Sequence, residues 1–181
     1  MNWGRALLTI GSLQFLISMA AAERLYPGYD PLRNYISDLG SLNAPTSTLF
    51  NTSVFLLGLL GLLSAYLLRR EIGRISAVLL ALASIGAMGV GVFPEDYGAP
   101  HWISALIAFL LGAIAVMAMG ARMGGFFKAF GLAAGVISLT ALALFIPRVH
   151  TPLGIGGLER LVAYPILVFF VVYGVARREA S

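Results

Sequence analysis

The chain has 181 residues, 59% hydrophobic and 11% charged, with 12 Lys and Arg against 8 Asp and Glu for a net charge of +4. Water does not solvate such a composition, so a soluble domain is excluded and an integral membrane protein is expected. The absence of cysteine also excludes disulfides, thiolate nucleophiles, iron–sulfur clusters and cysteine zinc sites.

Apolar runs near the ~20 residues that cross a hydrocarbon core fall at 6–22, 49–68, 75–93, 102–120, 126–146 and 158–176. They predict an all-α fold, a polytopic membrane protein with six transmembrane helices in one bundle, and a single domain over 1–181. The first run has Arg5 ahead of it and "SMAAAE" behind it. It can also be read as a secretory signal with a small-residue cleavage site, although a retained span is expected.

The charges then sort by side. Arg5, Arg69, Arg70, Arg74, Arg122, Lys128, Arg177 and Arg178 fall together; the other side holds Arg24, Arg33, Arg148 and Arg160 with Glu23, Asp30, Asp38, Glu95, Asp96 and Glu159. The positive-inside rule makes the first side, and both termini, cytoplasmic. The expected location is the cell (plasma) membrane, with membrane lipids as partners. No basic face interleaved with aromatics accompanies these charges, which excludes nucleic acid. Small residues at helix-packing spacing mark the second span at Gly58 and Gly61, the third at Ala83, Ala87 and Gly91, and the fifth at Gly131 and Gly135. Packing within the chain is their expected use, and a homo-oligomer through the same faces is the alternative.

The cytoplasmic links "RREIGR" and "RMGGFFK" are short and basic, so the longer outer links carry the candidate chemistry. The first contains "NYISDLG". Asp30 suits an N-cap, Pro31 a first helical position and Gly40 a stop, which predicts a short amphipathic helix of two turns over 32–39. Leu32, Tyr35, Ile36 and Leu39 would share one side, and Arg33, Asn34, Ser37 and Asp38 the other. The polar side either faces water as an interfacial brace or turns over the bundle mouth, where Ser37 and Asp38 could bind a headgroup, an ion or a reacting water.

In the second link, "FPEDYGAPHW", Glu95 and Asp96 precede a helix start carrying His101 and the interfacial anchor Trp102. His101 is either solvated at the interface or a base, ligand or pH-responsive group. Near the start of the last span Glu159 and Arg160 must be paired or face a cavity, either as functional groups or as a structural ion pair. Imidazole and carboxylates on one face would permit a metal, His101 with His150 an axial haem pair, and Ser37 with His101 and an acid a serine triad. No spacing selects any of them, so the metal and cofactor are unknown and none is firmly implied.

"YDPLRNYISDLG", then "FN" at Phe50 and Asn51, "GVFPED" followed by His101, and "GLER" at Gly157 to Arg160 occur in this order over nearly the whole chain. The pattern resembles the prokaryotic domain-of-unknown-function 998 membrane family. "YISDLG" is also similar, more distantly, to the signature of DRAM and Sfk-type membrane proteins, which are associated with lipid remodelling and membrane organisation. The resemblance implies that Ser37, Asp38, Asn51, Asp96, His101, Glu159 and Arg160 occupy family motif positions, and it implies no reaction.

The expected function is recognition or processing of a lipid headgroup in a polar extracytoplasmic pocket. Asp38, His101 and Glu159 would be its acid–base groups, while Arg33, Asn34, Ser37, Asn51, Asp96 and Arg160 would bind, with Arg160 or Arg33 on phosphate. The alternative is a non-enzymatic scaffold or accessory subunit in which the same residues are structural. A transporter ranks last, because the span centres contain almost no polar residues.

Overall fold

The computed structural model describes residues 2–176. Among them six α-helices follow one another: α1 Trp3–Leu25, α2 Ser47–Ile72, α3 Arg74–Val92, α4 Ala99–Met123, α5 Gly125–Phe145 and α6 Gly154–Val175. Each is long and apolar enough to cross a membrane, since 19 residues at a rise of ~1.5 Å already approach the hydrocarbon thickness. The protein is a multi-pass integral membrane protein. Arg177 and Arg178, which contribute to the expected orientation, lie outside the described residues.

α1, α2, α4 and α6 overrun their apolar runs, whereas α3 and α5 match theirs in length and are shifted by one residue. Gly73 alone separates α2 from α3, and Gly124 alone separates α4 from α5. α6 begins at Gly154, so Glu159 and Arg160 stand in its second turn and not at its start.

Each helix packs on its chain neighbours, and α6 returns to pack on α1, closing a ring. α6 also touches α4, which leaves α5 seated outside against the pair. The small residues permit these approaches: Gly131 lies against Val116 and Gly120 of α4, Gly58 against Ser84 and Met88 of α3, and Gly91 against Asn51 and Phe55 of α2. These faces are used within the chain.

Two polar ends bracket the ring. At the hairpin end, which carries the Gly73 and Gly124 turns, Arg5 donates to Glu71 Oε1 from Nε at 2.8 Å and to the Ala176 carbonyl at 2.5 Å. Tyr173 donates to the same Glu71 oxygen at 2.6 Å. One carboxylate thus ties α1, α2 and α6, and it satisfies a buried guanidinium that would otherwise be costly. The loop end gathers the three longer connections.

The segment 32–39 departs from the expected two-turn helix. A single turn forms after Asp30, whose Oδ1 accepts from Leu32 N–H at 2.9 Å, and a separate 3-10 helix follows at Ser37–Gly40. In an α-helix Tyr35 N–H would bond to Pro31 O, and Ile36 N–H to Leu32 O. Here Tyr35 N–H goes to Asp38 Oδ2 at 2.9 Å and Ile36 N–H to Glu159 Oε2 at 2.6 Å. The two carbonyls accept instead from α6, Pro31 O from Arg160 at 2.7 Å and Leu32 O from Gly156 N–H at 3.0 Å. A local carboxylate, Asp38, and long-range partners on α6 together replace both helical bonds.

The break also divides the expected faces. Ile36 and Leu39 are buried while Leu32 is exposed. Asn34, Ser37 and Asp38 are half-buried, but Arg33 stands out in solvent.

Candidate functional site

The 3-10 helix Ser37–Gly40 is held from α2. Thr46 Oγ1 donates to Leu39 O at 2.8 Å, and Asn51 Nδ2 to Gly40 O at 2.8 Å. Gly40 is required at this contact, because a Cβ there would meet Cδ1 of Phe50 at 2.6 Å. From the other side the start of α6 presses in so closely that a Cβ on Gly156 would collide with the Pro31 and Asn34 carbonyls. The glycines of "GIGGLER" therefore serve backbone approach, which puts Glu159 beneath Ile36.

Arg160 closes this arrangement. Its guanidinium donates to Glu23 Oε1 at 2.5 Å, Tyr29 Oη at 2.8 Å, Pro31 O at 2.7 Å and Gly156 O at 3.0 Å. Tyr29 passes the link on, donating to Tyr35 O at 2.7 Å. α1, the first loop and α6 thus share one cation.

The second loop delivers two acids in opposite directions from a short 3-10 turn, Glu95–Tyr97. Asp96 points outward and accepts from Ser41 Oγ at 3.1 Å and Leu42 N–H at 2.8 Å; the Leu42 amide holds it below the ordinary carboxylate range. Glu95 turns inward beside Ser37 and Asp38. Burial pushes its carboxyl up to about 7; the Ser37 hydroxyl opposes this and the negative charge of Asp38 reinforces it. Asp38 in turn accepts from the Asn34 side-chain amide at 3.0 Å.

His101, buried at the start of α4, lies 2.8 Å from Phe93 O through Nδ1. A carbonyl only accepts, so Nδ1 carries the proton, and the neutral ring presents Nε2 as an acceptor.

A cavity of about 110 Å³ runs between α1, α2, α3, α4 and α6, with α5 excluded from its wall. Phe15, Val54, Ala87, Phe109 and Ile166 give it an apolar lining, and Ser37, His101 and Glu159 stand together at its loop end. It is somewhat smaller than the ~150 Å³ apolar cavity that admits a benzene. Glu159 is buried and receives one hydrogen bond, from Ile36 N–H. Asp38 and Glu95 are near enough for their charges to act on it.

The structure thus brings Ser37, Asp38, His101 and Glu159 together, with Asn34 behind Asp38. It does not bring the other sequence candidates to the cavity. Asn51 and Asp96 brace loops, Arg160 uses both terminal guanidinium nitrogens on Glu23, Tyr29 and two carbonyls, and Arg33 is exposed with Asp30 3.4 Å away. Glu95 joins the group although only its neighbour Asp96 is given a binding role among the sequence candidates; the two acids are adjacent and alike in type, and nothing local in the sequence tells which turns inward. Ser37 adjoins Glu95, and His101 is directed to Phe93 O, so the bonds of a serine triad are not formed. His150 is exposed in the last loop, away from the buried His101. Among the described residues no group of three or more His, Asp or Glu is arranged to hold a metal ion.

No curated protein and no solved structure matches the chain. Residues 9–176, nearly all that the structure describes, match the family described as "Protein of unknown function (DUF998)", and the chain belongs to that family.

Proposed function

We propose that this protein recognises the headgroup of a membrane lipid at its loop end, seating the polar part on Ser37, His101 and Glu159 and the first apolar atoms of the lipid in the cavity below. One observation carries the reading: a buried carboxylate with spare acceptor capacity caps an apolar cavity between helices. Such a site suits an amphiphile, because the apolar wall gains by excluding water while the carboxylate needs a donor. The mouth groups refine the ligand. Asp38, Glu95 and Glu159 gather carboxyl oxygens there, and Arg160 and Arg33 are turned elsewhere. The headgroup that fits offers an ammonium or hydroxyl donor, so a primary amine is favoured over a bare phosphate. The arginines concentrated at the hairpin end support an extracytoplasmic position for this mouth, by the positive-inside rule. Glu159 and the Nε2 acceptor of His101 also give the site the two groups needed to move a proton on a bound headgroup.

The rival reading is structural, and it draws on Asn51, Asp96 and Arg160, whose hydrogen bonds tie loop to helix, loop to loop and, through Glu23, α6 to α1. Native mass spectrometry separates the two. Delipidated protein is offered phosphatidylethanolamine, phosphatidylcholine and phosphatidylglycerol of matched chains, and the products are examined for conversion. Wild type should retain the ethanolamine lipid, and Glu159→Gln and Ala108→Leu, which fills the cavity from its α4 wall, should each weaken retention by about tenfold, or ~1.4 kcal/mol. Equal retention by all three proteins, with lower thermal stability of the variants, would establish the scaffold instead.

A further inference from the structure

A second groove lies at the opposite end, on the outside of the ring between α2 and α3. It has a volume of about 520 Å³, within the range of small-molecule clefts, ~300–1,000 Å³. Ala65 and Ala77 form its floor, both almost fully buried, while Tyr66 and Val78 form exposed walls. Small residues below and larger ones at the rim make a trough along two membrane-spanning helices, where a hydrocarbon chain is the available filler. At its hairpin end stand Arg69 and Arg74.

Both guanidinium groups are exposed, and neither takes part in an ion pair among the described residues. The acid of this segment, Glu71, is turned to the interior, where Arg5, Asn2 and Tyr173 hold it. Arg69 is oriented in advance: it donates to Tyr66 O at 2.5 Å and its guanidinium carbon lies 4.1 Å from the centre of the Tyr66 ring. That fixes one face of the fork and leaves the remaining N–H groups for an acceptor. Arg74 approaches from the first turn of α3, where the helix dipole adds to the positive potential. Among the described residues no carboxylate lines the groove to receive an ammonium, so a headgroup with net negative charge fits better than a zwitterionic one.

We propose that this groove is a binding site for one anionic phospholipid, its phosphate held by Arg69 and Arg74 and an acyl chain laid over Ala65 and Ala77. The site is independent of the cavity at the loop end. It also differs from a diffuse basic surface, because it requires the trough as well as the charge.

The test uses the full chain, delipidated in detergent and mixed with phosphatidylglycerol and phosphatidylcholine of identical chains, with retained lipid counted by native mass spectrometry. Wild type should prefer phosphatidylglycerol by about tenfold, as expected when two charged hydrogen bonds select the headgroup. Arg69→Gln with Arg74→Gln should abolish that preference. Val78→Trp, an exposed rim substitution that leaves every charge in place, should block retention; Arg70→Gln, which removes an exposed arginine outside the groove, should leave it unchanged. Gel filtration confirms folding, and Val78→Leu serves if the tryptophan variant aggregates. Loss with Arg70→Gln equal to that of the double variant, or full retention in a folded Val78 variant, overturns the proposal in favour of unspecific attraction. Displacement of the lipid by millimolar inorganic phosphate overturns it in favour of a simple anion site.

Discussion

Glu95 and Asp96 are chemically alike and adjacent, yet one turns into the protein and the other into solvent. Their titrations should differ in sign. The Glu95 carboxyl lies at about 7 against its ordinary 4.5, so between these values the folded chain binds a proton that the unfolded chain has released. Its stabilising contribution is complete below the lower value and lost as pH rises through the upper one. Thermal unfolding in detergent should therefore show a melting temperature that falls from about pH 5 to about pH 8, and Glu95→Gln should flatten that slope. A slope unchanged in the variant would assign the proton elsewhere. Arg160 carries a larger stake, since its removal strands the Glu23 carboxylate. Arg160→Ala should cost about 3 kcal/mol or more in a detergent unfolding titration. Arg160→Lys, which keeps the charge but not the fork, should lie between it and wild type. The sequence does not divide these roles. It identifies Arg160 as a residue that must be paired or face a cavity, and it does not point to the partner the structure gives, Glu23, 137 positions away.

At the scale of elements, the first loop shows where local signals end. Asp30 does cap a turn, and Gly40 does end a helix, as their residue types predict. The path between them follows other instructions, because Glu159, Arg160 and Gly156 of α6 take the backbone groups that an α-helix would have paired. Asp38 takes Tyr35 N–H locally, but no local pattern encodes the rest of that competition, since the other partners lie more than a hundred residues downstream. The same reasoning makes Gly40 a sensitive position. Gly40→Ala should lower stability by about 1–3 kcal/mol through overpacking against Phe50. It should also speed hydrogen exchange at the Leu39 and Ser41 amides, and unchanged exchange there would show that the 3-10 helix tolerates the Cβ.

For the whole molecule, the six spans are legible because a bilayer imposes length and apolarity on every crossing segment, and both are properties of composition. The ring is not legible. Which helix closes on which depends on the packing of Gly131 on α4 or Gly58 on α3, and small-residue spacing marks a close approach without naming the partner. The cavity escapes the sequence for the same reason, since Phe15, Val54, Ala87, Phe109 and Ile166 come from five helices. The orientation can be tested directly, because a chain without cysteine accepts single-cysteine labels. Val149→Cys at the loop end should react in intact cells with a membrane-impermeant maleimide, and Arg70→Cys only after permeabilisation. The reverse pattern would invert the protein and move the proposed headgroup site to the cytoplasmic leaflet.

The bond between Glu23 and Arg160 also bears on how the molecule is made. It joins the end of the first helix to the last helix, so during synthesis the first helix enters the membrane long before its counter-ion has been translated. A nascent chain arrested before residue 160 carries an acid at the membrane boundary without the guanidinium that will neutralise it. Insertion of the last helix removes that mismatch and closes the ring in one step. Incomplete chains are thereby chemically distinct from finished ones, since only the finished chain pairs Glu23.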